Sequence, residues 1–208
     1  NTDLGQHFLV DDELLNVMVK LAEVTSQDHV LEIGPGPGTL TQVLLETGAT
    51  VTAIELDDGP VLHLDNVFSE QQNNGKLTLL HGDALLEQWP ESITKIVANI
   101  PYQISSPLIE KITKFNALNE TSLQSVVFMV QQEFAQRLTM AHPSDVGSLG
   151  MTVALDWNVE AHHVVAPHSF SPQPAVHSQV VSLHPHQTIW PADKRLIRMM
   201  IHQAFAER

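Results

Sequence analysis

Between residues 29 and 46 the chain reads His29-Val30-Leu31-Glu32-Ile33-Gly34-Pro35-Gly36-Pro37-Gly38 and then Thr39-Leu40-Thr41-Gln42-Val43-Leu44-Leu45-Glu46. A short apolar run, a turn carrying three glycines and a stretch of helix formers predict strand, loop and helix in succession, with Gly48 closing the helix at its C-terminal cap. Glycine lets a backbone turn tightly and lie against a ligand with no side chain between them. The spacing is G-x-G-x-G with an acid, Glu32, two residues before the first glycine. A dinucleotide-binding loop instead places its third glycine three residues after the second and opens a helix N-terminus to a pyrophosphate.

On the N-terminal side, Leu14, Leu15, Val17, Met18, Leu21 and Ala22 recur at intervals of three and four and predict an amphipathic helix over 11–24. On the C-terminal side, strands at 51–56, 77–80 and 93–98 alternate with a helix over 60–70 and an Asn73-Asn74-Gly75 turn. A helix over 107–114, a fifth strand at 126–130 and a helix over 133–139 follow. Residues 153–159 and 176–183 read as a late strand pair separated by a proline-containing loop at 162–173, 185–191 as a linker, and 194–207 as an amphipathic helix that begins a second unit. The pattern predicts an α/β, Rossmann-like fold: a mostly parallel seven-stranded sheet with helices on both faces and ligands at the carboxyl ends of the strands. One catalytic domain over 1–184 is expected, followed over 185–208 by a linker and the start of a small helical domain.

The 208 residues, 43% of them hydrophobic, suffice for a sizeable core. No apolar run of about 18 residues and no leader pattern is present, so a soluble, cytoplasmic chain without membrane association is expected, acting as a monomer. The absence of cysteine excludes disulfides, thiolate metal sites and a cysteine nucleophile. The first residue is Asn1 rather than methionine, and the numbering is expected to start inside a longer product. Ten basic against 24 acidic side chains give a formal charge of -14, the wrong sign for a grip on phosphates. Four of the ten basic residues, Lys194, Arg195, Arg198 and Arg208, nevertheless crowd the last fifteen positions. The twelve histidines read mostly as surface imidazoles, and no His/Asp/Glu spacing makes a metal site.

Chemistry gathers at the strand ends. Glu55, 21 positions after Gly34, ends the second strand of the alternation, where a carboxylate can accept hydrogen bonds from both hydroxyls of a ribose. Asp83 ends the third and can accept from an adenine amine. Together with the glycine loop, these imply a nucleoside-containing cofactor without a pyrophosphate, which fits S-adenosylmethionine. The fourth strand stops at Asn99-Ile100-Pro101-Tyr102. An adenine amine is a poor nucleophile because its lone pair is delocalised into the ring. Its hydrogens must be directed to acceptors that favour a more tetrahedral nitrogen, which an asparagine carbonyl and the following backbone carbonyl can supply while proline stiffens the turn. Tyr102, the sole tyrosine, offers a stacking face for a base drawn out of its strand. No strong general base is needed, because the alkylated amine is acidic enough to release its proton to water.

These motifs resemble those of the KsgA-type small-subunit ribosomal RNA adenine dimethyltransferases. The likeness takes in Leu4-Gly5-Gln6-His7-Phe8-Leu9, Glu32 to Gly38 with Thr39-Leu40-Thr41, Gly82-Asp83 and Asn99-Ile100-Pro101-Tyr102-Gln103-Ile104-Ser105. It continues in Gln132-Glu133-Phe134-Ala135-Gln136-Arg137-Leu138, Phe170-Ser171-Pro172-Gln173-Pro174-Ala175-Val176-His177-Ser178 and Ala204-Phe205-Ala206-Glu207-Arg208. The resemblance implies a class I S-adenosylmethionine-dependent methyltransferase whose cofactor pocket holds His7, Leu9, Gly34, Gly36, Glu55, Asp83 and Asn99. Asn99, Pro101 and Tyr102 would hold the target adenine, with Phe170 a second stacking wall. It also implies the reaction: two methyls on N6 of each of two adjacent adenosines near the 3' end of small-subunit ribosomal RNA, within a pre-ribosomal particle. His7, where bacterial members usually carry asparagine, resembles the archaeal and eukaryotic branch. Ala175 and His177 depart from the lysine and aspartate common at those places, and members usually continue into a helical C-terminal domain.

Three other functions share part of this pattern. A large-subunit RNA adenine methyltransferase of the macrolide-resistance type shares Asn-Ile-Pro-Tyr, and the Gly-Pro-Gly-Pro-Gly loop favours the small-subunit branch. A protein glutamine methyltransferase presents a planar amide to similar geometry. A non-catalytic ribosome-assembly factor could retain the fold, but would be expected to have lost Asn99 or Glu55.

Overall fold

The structure, a computed structural model, describes residues 7–118, 123–186 and 194–206. In chain order the elements are β1 (Phe8–Leu9), α1 (Asp12–Leu21), β2 (His29–Ile33), α2 (Thr39–Glu46), β3 (Thr50–Glu55), α3 (Asp58–Val67), α4 (Ser69–Asn73), β4 (Leu77–His81), β5 (Lys95–Asn99), α5 (Ser105–Leu118), β6 (Ser125–Gln131), α6 (Gln132–Thr139), α7 (Ser148–Val153), β7 (Trp157–Val165), β8 (Phe170–Ser171), β9 (Ser178–Pro185) and α8 (Lys194–Phe205). Seven strands form one sheet in the order β4-β3-β2-β5-β6-β9-β7, and β1 pairs with β8 in a separate two-stranded ribbon. β2 through β6 run parallel, while β9 runs antiparallel to both β6 and β7.

Alternate residues of a strand face opposite sides of a sheet, and the core divides accordingly. Ile96 and Ala98 of β5 join a cluster with Ile109 and Ile112 of α5 and Phe134 and Leu138 of α6. Val97, between them, faces Leu15 and Met18 of α1, Leu44 of α2 and Leu64 of α3. Both faces are therefore covered, which is why the parallel strands read as continuous apolar runs rather than alternating ones.

Several boundaries differ from the sequence reading. The helix expected over 60–70 is two helices, α3 and α4, divided at Phe68, where the ring is buried and the backbone leaves helical geometry (φ -108°, ψ 24°). The strand expected at 153–159 is a correction of type as well as position: Val153 ends α7, and β7 begins only at Trp157. Tertiary packing overrides the strand propensity of Val153, because Gly150 lets α7 lie close to α6, where an added Cβ would sit 2.5 Å from the carbonyl oxygen of Arg137. β7 also continues through His162–Val165, past an irregularity between Ala161 and Val164, so the loop expected from 162 starts at 166. Its partner begins at Ser178 and runs to Pro185, taking the first residue of the expected linker. Residues 187–193, most of that linker, lie outside the described residues, as do the first six residues and the last two.

α8 packs with Ile201 buried, and His202 Nδ1 lies 3.3 Å from Ser148 Oγ of α7. Lys194 (3.0 Å) and Arg198 both pair with Asp156. Two of the four basic residues that made the tail look cationic thus share one carboxylate, which offsets one of their two charges.

Candidate active site

Parallel strands that all point the same way deliver their terminal loops to one edge of the sheet, and the cavity lies there. It leaves about 900 Å³ free of protein atoms, part of it open to solvent, and its walls include Gly34 and Gly36, Glu55, Asp83, and Asn99 through Ile104. After β2, Gly34 and Gly36 hold φ of 68° and 54°, a left-handed backbone that disfavours any side chain. A Cβ on Gly36 would also stand 2.5 Å from the Phe8 ring, so the loop closes against the N-terminal segment only because glycine is there.

Glu55, the last residue of β3, is buried and oriented by three backbone N–H groups: Gly36 donates to Oε2 (3.0 Å), and Leu56 (2.9 Å) and Asp57 (3.0 Å) donate to Oε1. A carboxylate takes about four hydrogen bonds. With these three in place it keeps room for one ribose hydroxyl, and holding both would require sharing. Glu32 is wholly buried and accepts from Thr41 Oγ1 (2.7 Å). Burial pushes its carboxyl up to about 8, and the nearby charge of Glu55 adds to the rise. Asp83 accepts from Leu85 N through Oδ1 (2.8 Å) and presents the rest of its carboxylate to the cavity.

On the opposite wall, Asn99 Nδ2 donates to the backbone carbonyl of His7 (2.9 Å). That bond fixes which end of the amide is which: the N–H side faces the N-terminal segment, and Oδ1 is left as an acceptor, with no protein donor on it among the described residues. Pro101, at φ -55°, carries the chain into a turn in which Ile104 N donates to its carbonyl (3.1 Å). Tyr102 is held at two places. Its hydroxyl lies 2.5 Å from Ser178 Oγ, and one ring face stacks on the His7 imidazole at 5.6 Å and 29°. Burial raises the Tyr102 phenol above its ordinary range, so the ring is neutral in working buffers. His7 Nδ1 in turn donates to the carbonyl of Pro172 (2.8 Å).

Two expected residues stand elsewhere. Phe170 is buried, pairs with Leu9 in the β1–β8 ribbon and does not line the cavity, so the second stacking wall is not assembled in this conformation. Pairing with the N-terminal segment turns that ring into the core. Leu9 is buried as well and lines a small neighbouring recess beside Glu32 and Asn99, while Phe8, its neighbour, reaches the main cavity. The sequence reading missed Phe8, Ser178 and the protonation of Glu32. Only the Gln6-His7-Phe8-Leu9 motif hinted at the first. No group of three or more His, Asp or Glu able to hold a metal occurs among the described residues, and no described helix is long and apolar enough to cross a membrane.

Residues 1–208 match the family model described as ribosomal RNA adenine dimethylase. The chain belongs to the ribosomal RNA adenine dimethylase family. It is 38% identical to the ribosomal RNA small subunit methyltransferase A of Clostridium acetobutylicum over 99% of this chain and 75% of that protein. It is 41% identical to the probable ribosomal RNA small subunit methyltransferase A of Methanopyrus kandleri over 88% of this chain and 63% of that protein. Several such relatives are thus matched over less than two thirds of their length. Among solved structures, a dimethyladenosine transferase from Plasmodium falciparum superposes with a TM-score of 0.85 at 31% identity, covering 96% of this chain and 71% of that one. The 23S rRNA methyltransferase ErmE gives 0.77 at 25% identity, covering 94% and 77%. The fold is that of the class I S-adenosylmethionine-dependent methyltransferases, and membership makes the chain an enzyme that uses this cofactor. The strand-end carboxylates and the side-chain-free glycine loop fit a nucleoside with an amino-acid arm and no phosphate.

Proposed function

We propose that this chain transfers methyl groups to N6 of two adjacent adenosines near the 3' end of small-subunit ribosomal RNA, giving dimethyladenosine during ribosome biogenesis. The observation that carries the reading is the orientation of Asn99, whose carbonyl oxygen is left for an incoming amine because its N–H is held by His7. When bound, S-adenosylmethionine supplies an electrophilic methyl on a sulfonium. Glu55 and Asp83 hold its ribose and adenine, and Gly34 and Gly36 let its amino-acid arm lie on the backbone. Asn99 Oδ1 and the carbonyl after it accept the hydrogens of the target amine, turning its lone pair toward the methyl. Tyr102, with one face covered by His7, stacks the base on its other face. The released proton goes to water.

Within this proposal the substrate is a pre-ribosomal particle, the chain acts as a monomer in the cytoplasm, and 185–208 open a second, helical domain that contributes to RNA contact. The names and lengths of the relatives support this reading. Purified protein should move labelled methyl groups onto undermethylated small ribosomal subunits, less well as salt rises. Equal labelling of naked large-subunit RNA would move the assignment to the resistance-type branch.

A further inference from the structure

The loop that carries Asp83 is held from outside by a single cation. Lys111, in the middle of α5, places its ammonium 2.8 Å from the carbonyl oxygen of Ala84, 3.1 Å from that of Leu85 and 2.6 Å from that of Glu87. An ammonium has three donors, and all three are used on one short loop. The same ammonium lies 4.7 Å from the centre of the Trp89 ring, whose Nε1 donates to the Ala84 carbonyl as well (3.0 Å). Three convergent carbonyls on a point charge are the arrangement that fixes a loop around a bound cation, with the cation here tethered to a helix. The loop bends back on Asp83: Leu86 N and Glu87 N both donate to the Asp83 carbonyl (2.8 Å each), and Leu85 N takes Asp83 Oδ1. Asp83 Oδ2 takes no bond from a protein donor among the described residues, and Asp83 lines the cavity.

We propose that Lys111 is a positioning residue for cofactor recognition: by gathering the carbonyls of Ala84, Leu85 and Glu87 it sets the loop in which Asp83 presents one free carboxylate oxygen to the cofactor's adenine amine. The inference rests on the reading of Asp83 given above. The carbonyls of Ala84 and Leu85, turned toward Lys111, leave the N–H groups of the same two peptides, those of Leu85 and Leu86, turned toward Asp83, so losing the ammonium frees both sides of the loop together. The charged groups around the ammonium are Asp83 and Glu87, whose fields oppose the lowering of its proton affinity by burial. α5 is also the helix that starts directly after Tyr102–Ile104, so one rigid element spans from the target turn to the adenine loop.

The test compares binding of S-adenosylhomocysteine with that of S-inosylhomocysteine, which carries a ring carbonyl in place of the amine, by calorimetry on the full chain. Wild type should prefer the adenosyl compound by about tenfold or more, the worth of a hydrogen bond to a charged acceptor. Asp83→Ala should abolish the preference. Lys111→Met should shrink it to about twofold while changing affinity for the inosyl compound little. Lys111→Gln, which keeps an amide N–H for one carbonyl, should fall between and serves if the methionine variant does not fold. If both ligands weaken equally in the Lys111 variants, or neither weakens, Lys111 merely supports the fold and the proposal is overturned. If Asp83→Ala leaves the preference intact, the reading of Asp83 fails first and the role of Lys111 falls with it.

Discussion

The two walls of the cavity are built in different ways. The cofactor wall is assembled from consecutive strand ends: Gly36 bonds Glu55 across 19 positions, and Glu55 also takes the two N–H groups that follow it. The target wall is assembled from distant segments. Asn99 bonds His7 across 92 positions, Tyr102 meets Ser178 across 76, and His7 reaches Pro172 across 165. The first wall is carried by parallel strands that cannot shift without breaking the sheet. The second depends on the short β1–β8 ribbon and on side-chain bonds, and Phe170, folded into the core there, shows that one of its expected parts is not in place. Under the proposed function, the wall that admits a base drawn from RNA tolerates that looseness better than the wall that discriminates a small cofactor.

Substitutions can break this contrast. The largest effect is expected from Asn99→Ala, which should lower kcat by about 10²–10³-fold, the usual loss when one transition-state contact is removed. Its affinity for S-adenosylhomocysteine should change far less, and calorimetry beside single-turnover kinetics separates the two. Glu55→Ala should act the other way, weakening cofactor binding by about 10–100-fold. A variant that bound normally would show that the ribose lies elsewhere.

Glu32→Gln sharpens the comparison through stability. The Glu32 carboxyl, at about 8 in the fold against 4.5 as its ordinary value, is protonated in the folded chain over a range where the unfolded chain is ionised. The unfolded state then binds fewer protons, so this group makes stability fall as pH rises from 4.5 to 8, with no cost below that window and no further loss above it. The glutamine variant should gain on wild type across that window by at most about 1.4 kcal/mol per pH unit, read from denaturant midpoints. A gap that does not change with pH would mean that Glu32 is ionised in the fold. The smallest effect is expected from Ser178→Ala, which frees the Tyr102 hydroxyl and should raise KM for RNA about two- to fivefold with cofactor affinity unchanged.

Much of the cofactor wall was legible because each part sits where a strand stops. Val30-Leu31 and Ile96 to Ala98 are apolar runs bounded by polar residues, and Val51 to Ile54 is a largely apolar one, so the strand ends could be placed to within about two residues, and Glu55, Asp83 and Asn99 with them. Local signals failed where burial came from elsewhere. Val153 has a strand former's side chain and sits in a helix, because Gly150 brings that helix against α6. Phe170 looked like a ligand wall and is core, because its strand partner is Leu9. Lys194 and Arg198 looked like a basic tail and are paired with Asp156.

The order of elements, the kind of cofactor and the place of Asn99 at a strand end were set by the sequence itself, since glycine spacing, strand length and the polar residue at each strand end are properties of neighbouring residues. Which end of the Asn99 amide faces the cavity, which face of Tyr102 is covered, whether Glu32 carries a charge and what Lys111 holds were decided only in three dimensions. Hydrogen-bond direction and desolvation depend on atoms that arrive from other parts of the chain, and no local pattern records their arrival.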